Sequence, residues 1–135
     1  MEKLTIDAKI ENLPSATEFV TQALEAKNCP MKIIMQVELA VEELFVNIAN
    51  YAYSPQVGSV TVCRSFEENP QALNLIFIDS GKPHNPLKHE DPDITLKAEE
   101  REIGGLGIFL VKKNVDEISY KYEDGKNILS VKKFF

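Results

Sequence analysis

Only two cysteines, Cys29 and Cys63, occur in 135 residues, and they stand far apart. That spacing is neither a metal motif nor a dense disulfide framework, so two reduced, partly buried thiols are expected. No apolar run approaches the ~20 residues that a membrane-spanning helix needs. No secretory pattern opens the chain, because Met1-Glu2-Lys3-Leu4 leads straight into alternating residues. These two absences predict a cytoplasmic protein without membrane contact. Positive charge is in deficit: 15 Lys and Arg against 21 Asp and Glu give a net charge of −6. An acidic surface gives no electrostatic help in binding nucleic acid or anionic lipid. Lysines 112, 113, 121, 126, 132 and 133 do concentrate toward the C-terminal end, as surface helices and strands often carry them for solubility. Two phosphate-binding signatures are also missing. There is no G-x-x-x-x-G-K-[ST] and no complete G-x-G-x-x-G with a following ribose acid, which excludes P-loop and Rossmann sites. No Ser/His/Asp or Cys/His set stands out. His84 and His89 lie in a proline-rich loop without supporting ligands and read as solvent-facing.

The length fits one domain, residues 1–135, with a real core. Leu4, Ile6, Ala8 and Ile10 alternate with polar residues and predict an opening strand. Asn12 to Pro14 breaks it. Ser15, with Glu18 three residues on, has the spacing of a capping box, and the helix that follows is expected to stop at Asn28-Cys29-Pro30. From Met31 to Tyr53 the apolar residues Ile34, Val37, Val41, Leu44, Phe45, Ile48 and Ala52 fall on one side at helical spacing. Strands are predicted over Gly58–Phe66 and Ala72–Ile78, the second with apolar residues on both faces. Lys82 to Ile103 is proline-rich and charged, with a short helix expected near Thr95–Arg101. A loop that long in a small domain is usually functional. Leu106–Asn114 reads as a helix. Asp116–Tyr122 and Asn127–Phe134 read as strands of a hairpin turned by Asp124-Gly125. Helices and strands come in pairs rather than strict alternation. The fold class is therefore α/β of the α+β kind: a two-layer sandwich whose sheet is mostly antiparallel, mixed, with helices on one face.

Three polar groupings carry the candidate chemistry. On the long helix, Gln36, Glu43, Asn47 and Asn50 share a sector about 60° wide opposite the apolar stripe. Glu43 and Asn47 are one turn apart and can converge on one point. A carboxylate there can take a proton or orient a water. An amide oxygen is a hard ligand that suits Mg²⁺. The same stripe reads equally as a solvated helix face. Asp79-Ser80-Gly81 follows an apolar strand. Its carboxylate can accept a hydrogen bond from the exocyclic amine of adenine, where guanine presents an oxygen, and Gly81 lets the backbone approach a base. An ordinary Asx turn explains these residues as well. Gly104-Gly105-Leu106-Gly107 precedes a helix, where bare N–H groups and the helix dipole favour an anion. A Gly-rich turn is the plainer alternative. Tyr51, Tyr53, Tyr120 and Tyr122 read as packing residues.

Taken together, the groupings resemble the GHKL (Bergerat-fold) ATPases, and most closely the small bacterial anti-sigma-factor serine kinases. Val41-Glu42-Glu43-Leu44-Phe45-Val46-Asn47 matches that family's N box. Ile78-Asp79-Ser80-Gly81-Lys82-Pro83 matches its adenine-binding G1 box, with Pro83 in place of the second glycine of D-x-G-x-G. Gly104 to Val111 matches its G2 box. The resemblance implies ATP and Mg²⁺ as cofactors. It implies Glu43 as general base or water-orienting acid, Asn47 as metal ligand and Asp79 as reader of the adenine amine, with Gly81 giving room beside it. Gly105 and Gly107 would end an ATP lid over residues 82–103, and Asn127 would stand near where relatives carry a hydroxyl residue that helps to hold the base. The implied activity is serine-protein kinase and anti-sigma factor, phosphorylating a STAS-type anti-anti-sigma partner and sequestering a sigma factor, usually as a homodimer. A non-catalytic ATP-dependent regulatory module and a plain interaction domain are the alternatives.

Overall fold

Five strands form a single sheet ordered β1-β2-β3-β5-β4, with every neighbouring pair antiparallel. The strands are β1 (Glu2–Asp7), β2 (Ser59–Glu67), β3 (Ala72–Asp79), β4 (Glu117–Glu123) and β5 (Lys126–Phe134). Three helices, α1 (Leu13–Ala26), α2 (Met31–Asn47) and α3 (Gly105–Asn114), complete the computed structural model, which describes residues 1–53, 56–88 and 105–135. The expected helix at 95–101, most of the expected lid, His89 and Gly104 lie outside the described residues. The two-layer class and the element order are as predicted, and the sheet is more regular than a mostly antiparallel one.

The core sits between the helices and one face of the sheet. Ala16, Val20 and Leu24 of α1, with Val37, Val41, Leu44 and Phe45 of α2, meet Val60, Val62, Leu73, Leu75, Phe77, Leu129 and Val131 of the sheet. Each fully buried Val, Leu or Phe contributes ~1.5–3 kcal/mol from removal of apolar surface from water. The opposite face carries Thr61, Asn74, Ile76, Ile78, Ile128 and Ser130, all half-buried, so both faces of β3 are not equally covered. Cys29 and Cys63 are both unpaired, Cys63 buried and Cys29 partly so. No described helix is long and apolar enough to cross a membrane. The C-terminal lysines do not make one basic patch: Lys132 bonds Glu67 at 2.8 Å, Lys121 bonds Glu123 at 2.9 Å, and Lys133 is buried.

Local chemistry explains the boundaries. At the C-terminus of α1, Asn28 adopts φ 55, and the Cys29 N–H reaches back to the Leu24 carbonyl at 3.1 Å, a left-handed cap that satisfies a terminal acceptor. Asp124 and Gly125 both have positive φ, 53 and 75, the geometry that a two-residue hairpin turn needs between Glu123 and Lys126. Two expectations fail. Helix α1 begins at Leu13 after a 3-10 turn over Ile10–Asn12, so Ser15 lies inside the helix and is not its cap. Proline lacks only an N–H that the first turn leaves unused anyway, and Pro14 sits there without breaking the helix. Asn12 instead donates to the Asp7 carbonyl at 2.9 Å and closes the turn after β1. The long helix is α-helical only to Asn47. Ile48–Ala52 winds as a π-helix, which removes Asn50 from the predicted polar sector and leaves it exposed.

Candidate functional site

Asp79 ends β3 directly opposite Asn127 of β5, both 5% exposed. Burial of a carboxylate demands hydrogen bonds, and the strand register supplies them. Asp79 Oδ1 accepts the Gly81 N–H at 2.9 Å and the Asn127 Nδ2 at 2.8 Å. The first bond is an Asx turn, so that reading of Asp79-Ser80-Gly81 holds. Among the described residues both bonds fall on Oδ1, which leaves Oδ2 for a ligand in the cleft that Asp79 lines.

That cleft opens between α2 and the end of the sheet. Asn47, Asp79, His84, Tyr120 and Asn127 are its polar walls, and Leu44, Ile48, Phe77 and Leu129 line it with apolar surface. An apolar cleft with a few convergent polar groups is the kind of site that takes a heteroaromatic base. Asn47 reaches it from the last α-helical position before the π-turn, a distortion that recurs at functional sites. Gly81 is needed for space rather than for an unusual backbone angle. A Cβ there would lie 2.3 Å from the Ala52 carbonyl oxygen, and Lys82 N–H donates to that same oxygen at 3.0 Å. Tyr53 fastens the arrangement: its hydroxyl donates to the Ser59 carbonyl and accepts the Ser80 N–H, both at 2.7 Å. Burial pushes this hydroxyl above the ordinary tyrosine range, so it stays protonated and able to donate. Gly58 leaves room for the ring, since a Cβ there would stand 2.2 Å from it.

Glu43 does not line the cleft. It lies one turn before Asn47 on α2, against Gly107 in the first turn of α3, where a Cβ would meet its Oε2 at 2.3 Å. Burial first, and the neighbouring charge of Glu42 second, push its carboxyl above the usual carboxylate range. A raised carboxyl is suited to accept a proton near neutral pH. Gly105 opens α3, so the anion-favouring helix start lies on the Glu43 side of the site. No group of three His, Cys, Asp or Glu able to hold a metal occurs among the described residues. A lone amide fits Mg²⁺, which completes its shell with phosphate oxygens and water.

Three residues have larger parts than their spacing suggested. His84 is half-buried on the cleft wall, with its ring 5.9 Å from that of Tyr51, rather than solvent-facing. Tyr53 and Tyr120 carry polar contacts beyond packing. The alternation of Ile118 and Tyr120 on β4 was the available signal for Tyr120, because it sets both on the helix-facing side with Val131 and Leu129.

Comparison with known proteins agrees with this geometry. The family described as histidine kinase-like ATPase domain matches over residues 6–133. The serine-protein kinase RsbW of Bacillus thuringiensis (strain Al Hakam) is 28% identical over 103 residues, 73% of this chain and 63% of the relative. The protein of the same name from Bacillus mycoides (strain KBAB4) is 28% identical over 99 residues, 70% and 61% of the two chains. That from Bacillus anthracis (strain CDC 684 / NRRL 3495) is 27% identical over 103 residues, 73% and 63%. The chain thus spans about three fifths of the length of these relatives.

Proposed function

The chain belongs to the histidine kinase-like ATPase domain family, and on that premise we propose that it is an ATP-dependent serine-protein kinase and anti-sigma factor. Its substrate is a serine of a STAS-type anti-anti-sigma protein, and its second partner is a sigma factor, held by a homodimer. The observation that carries the reading is the cleft in which Asn47, Asp79 and Asn127 converge, with Glu43 one helical turn away.

Asp79 accepts the exocyclic amine of adenine, with Gly81 close beneath it and Asn127 beside it. Asn47 holds Mg²⁺. Gly105 and Gly107, at the start of α3, face the phosphates. ATP supplies the phosphoryl group and Mg²⁺ neutralises its charge, which leaves mainly positioning to the protein. Glu43 accepts the proton of the incoming serine hydroxyl, and its raised carboxyl suits that task. Similarity to proteins named serine-protein kinase supports the activity.

The test is transfer of labelled phosphate from Mg-ATP to a STAS-type protein encoded beside this chain, with calorimetry in parallel. Transfer that Glu43→Gln abolishes without loss of ATP binding is expected. Tight ATP binding by the unaltered protein without transfer would leave a non-catalytic, ATP-dependent module.

A further inference from the structure

The side chain of Asn127 makes as many hydrogen bonds as an amide can. Nδ2 donates to Asp79 Oδ1 at 2.8 Å and to the Lys82 carbonyl at 2.9 Å. Oδ1 accepts the His84 N–H at 3.1 Å and the Tyr120 hydroxyl. A primary amide has two N–H donors and two lone pairs, so nothing is left for a ligand. The orientation of the amide follows from chemistry alone: the Lys82 carbonyl can only accept and the His84 N–H can only donate. Nδ2 must therefore face Asp79, and Tyr120 must donate. Burial raises the Tyr120 hydroxyl above its ordinary range and keeps its proton in place.

We propose that Asn127 is a positioning residue that sets nucleobase choice through Asp79 rather than by its own contact with the base. This rests on the reading of the cleft as an ATP site. With the Gly81 N–H and Asn127 Nδ2 both on Oδ1, the carboxylate plane is fixed and Oδ2 is presented as an acceptor. An acceptor fixed in that place welcomes a 6-amino purine and repels a 6-oxo purine. The register that sets Asp79 opposite Asn127, and Leu129 opposite Tyr120, builds the clamp across three adjacent strands.

The experiment compares dissociation constants for Mg-ATP and for Mg-inosine triphosphate, which differs at the 6-position and keeps the ribose and phosphates. The unaltered protein is expected to prefer ATP by roughly tenfold or more, the scale of one hydrogen bond to a charged group. Asn127→Leu is expected to bring the ratio within about threefold by weakening ATP alone, while Asn127→Thr, which keeps a donor, retains most of it. If Asn127→Leu does not fold, Tyr120→Phe removes one bond and is expected to lower the ratio about threefold. An unchanged ratio, or equal weakening of both nucleotides, overturns the proposal, because a structural role alone moves both together. Equal affinity in the unaltered protein overturns the role of Asp79 itself. Binding of neither nucleotide overturns the ATP reading, and the proposal falls with it.

Discussion

The Glu43 carboxylate fills the space that a side chain at position 107 would need: a Cβ on Gly107 would stand 2.3 Å from Glu43 Oε2. The glycine thus gives the proposed base its place. Because the clash falls on the end of a flexible side chain, Gly107→Ala is expected to leave unfolding nearly unchanged. Displacement of a reacting group by about 1 Å costs on the order of 10²-fold in rate. Single-turnover transfer should fall by that order while the ATP dissociation constant stays within about threefold.

Gly81→Ala is the contrasting case. Its Cβ would meet the Ala52 backbone at 2.3 Å, which cannot swing away. Overpacking of this kind costs ~1–3 kcal/mol. Urea denaturation should show that loss, and ATP binding should weaken with it as the Asp79 turn is pushed out.

Glu43 gives a pH dependence of known sign. Its folded carboxyl lies above the ordinary range through burial and the Glu42 charge. As a base it acts only when deprotonated, so transfer should rise with pH along a limb above that range. Glu42→Gln should move the limb to lower pH, and Glu43→Gln should remove transfer. A raised folded value stabilises below the unfolded value and loses that contribution as pH rises through the folded one. Glu43→Gln should therefore be no less stable than the parent at pH 7, as thermal unfolding across pH would reveal.

Tyr53→Phe removes a donor to the Ser59 carbonyl and an acceptor for the Ser80 N–H. Leaving such groups without a partner costs ~1–3 kcal/mol. Amide exchange at Ser80 should speed up, with the same change in ATP affinity direction as Gly81→Ala and a smaller size.

Much of this molecule is legible in its residues, and the failures have physical causes. The apolar stripe from Ile34 to Phe45 places α2, and the Asp124-Gly125 pair places the last hairpin, because periodicity and left-handed turn chemistry are local signals. The change to π geometry after Asn47 leaves no such mark, since Ile48 and Ala52 continue the helical spacing. Ser15 and Glu18 have the spacing of a capping box, yet Pro14 already suits the first turn of α1 and the helix starts ahead of Ser15. Glu43, Asn47 and Asp79 could be named as candidates from their motifs. The hydrogen bonding of Asn127 could not, because it depends on a strand register 48 residues away in sequence and on the backbone of Lys82 and His84.

The central pairing of β3 with β5 joins Ala72–Asp79 to 127–134, a strand that follows it by almost fifty residues. During synthesis the cleft has no far wall until that strand leaves the ribosome, and nucleotide cannot assist folding before then. Non-local pairing of this kind delays closure of the sheet, so a nucleotide in this cleft would act as a lock on an assembled sheet and not as a template for an emerging one.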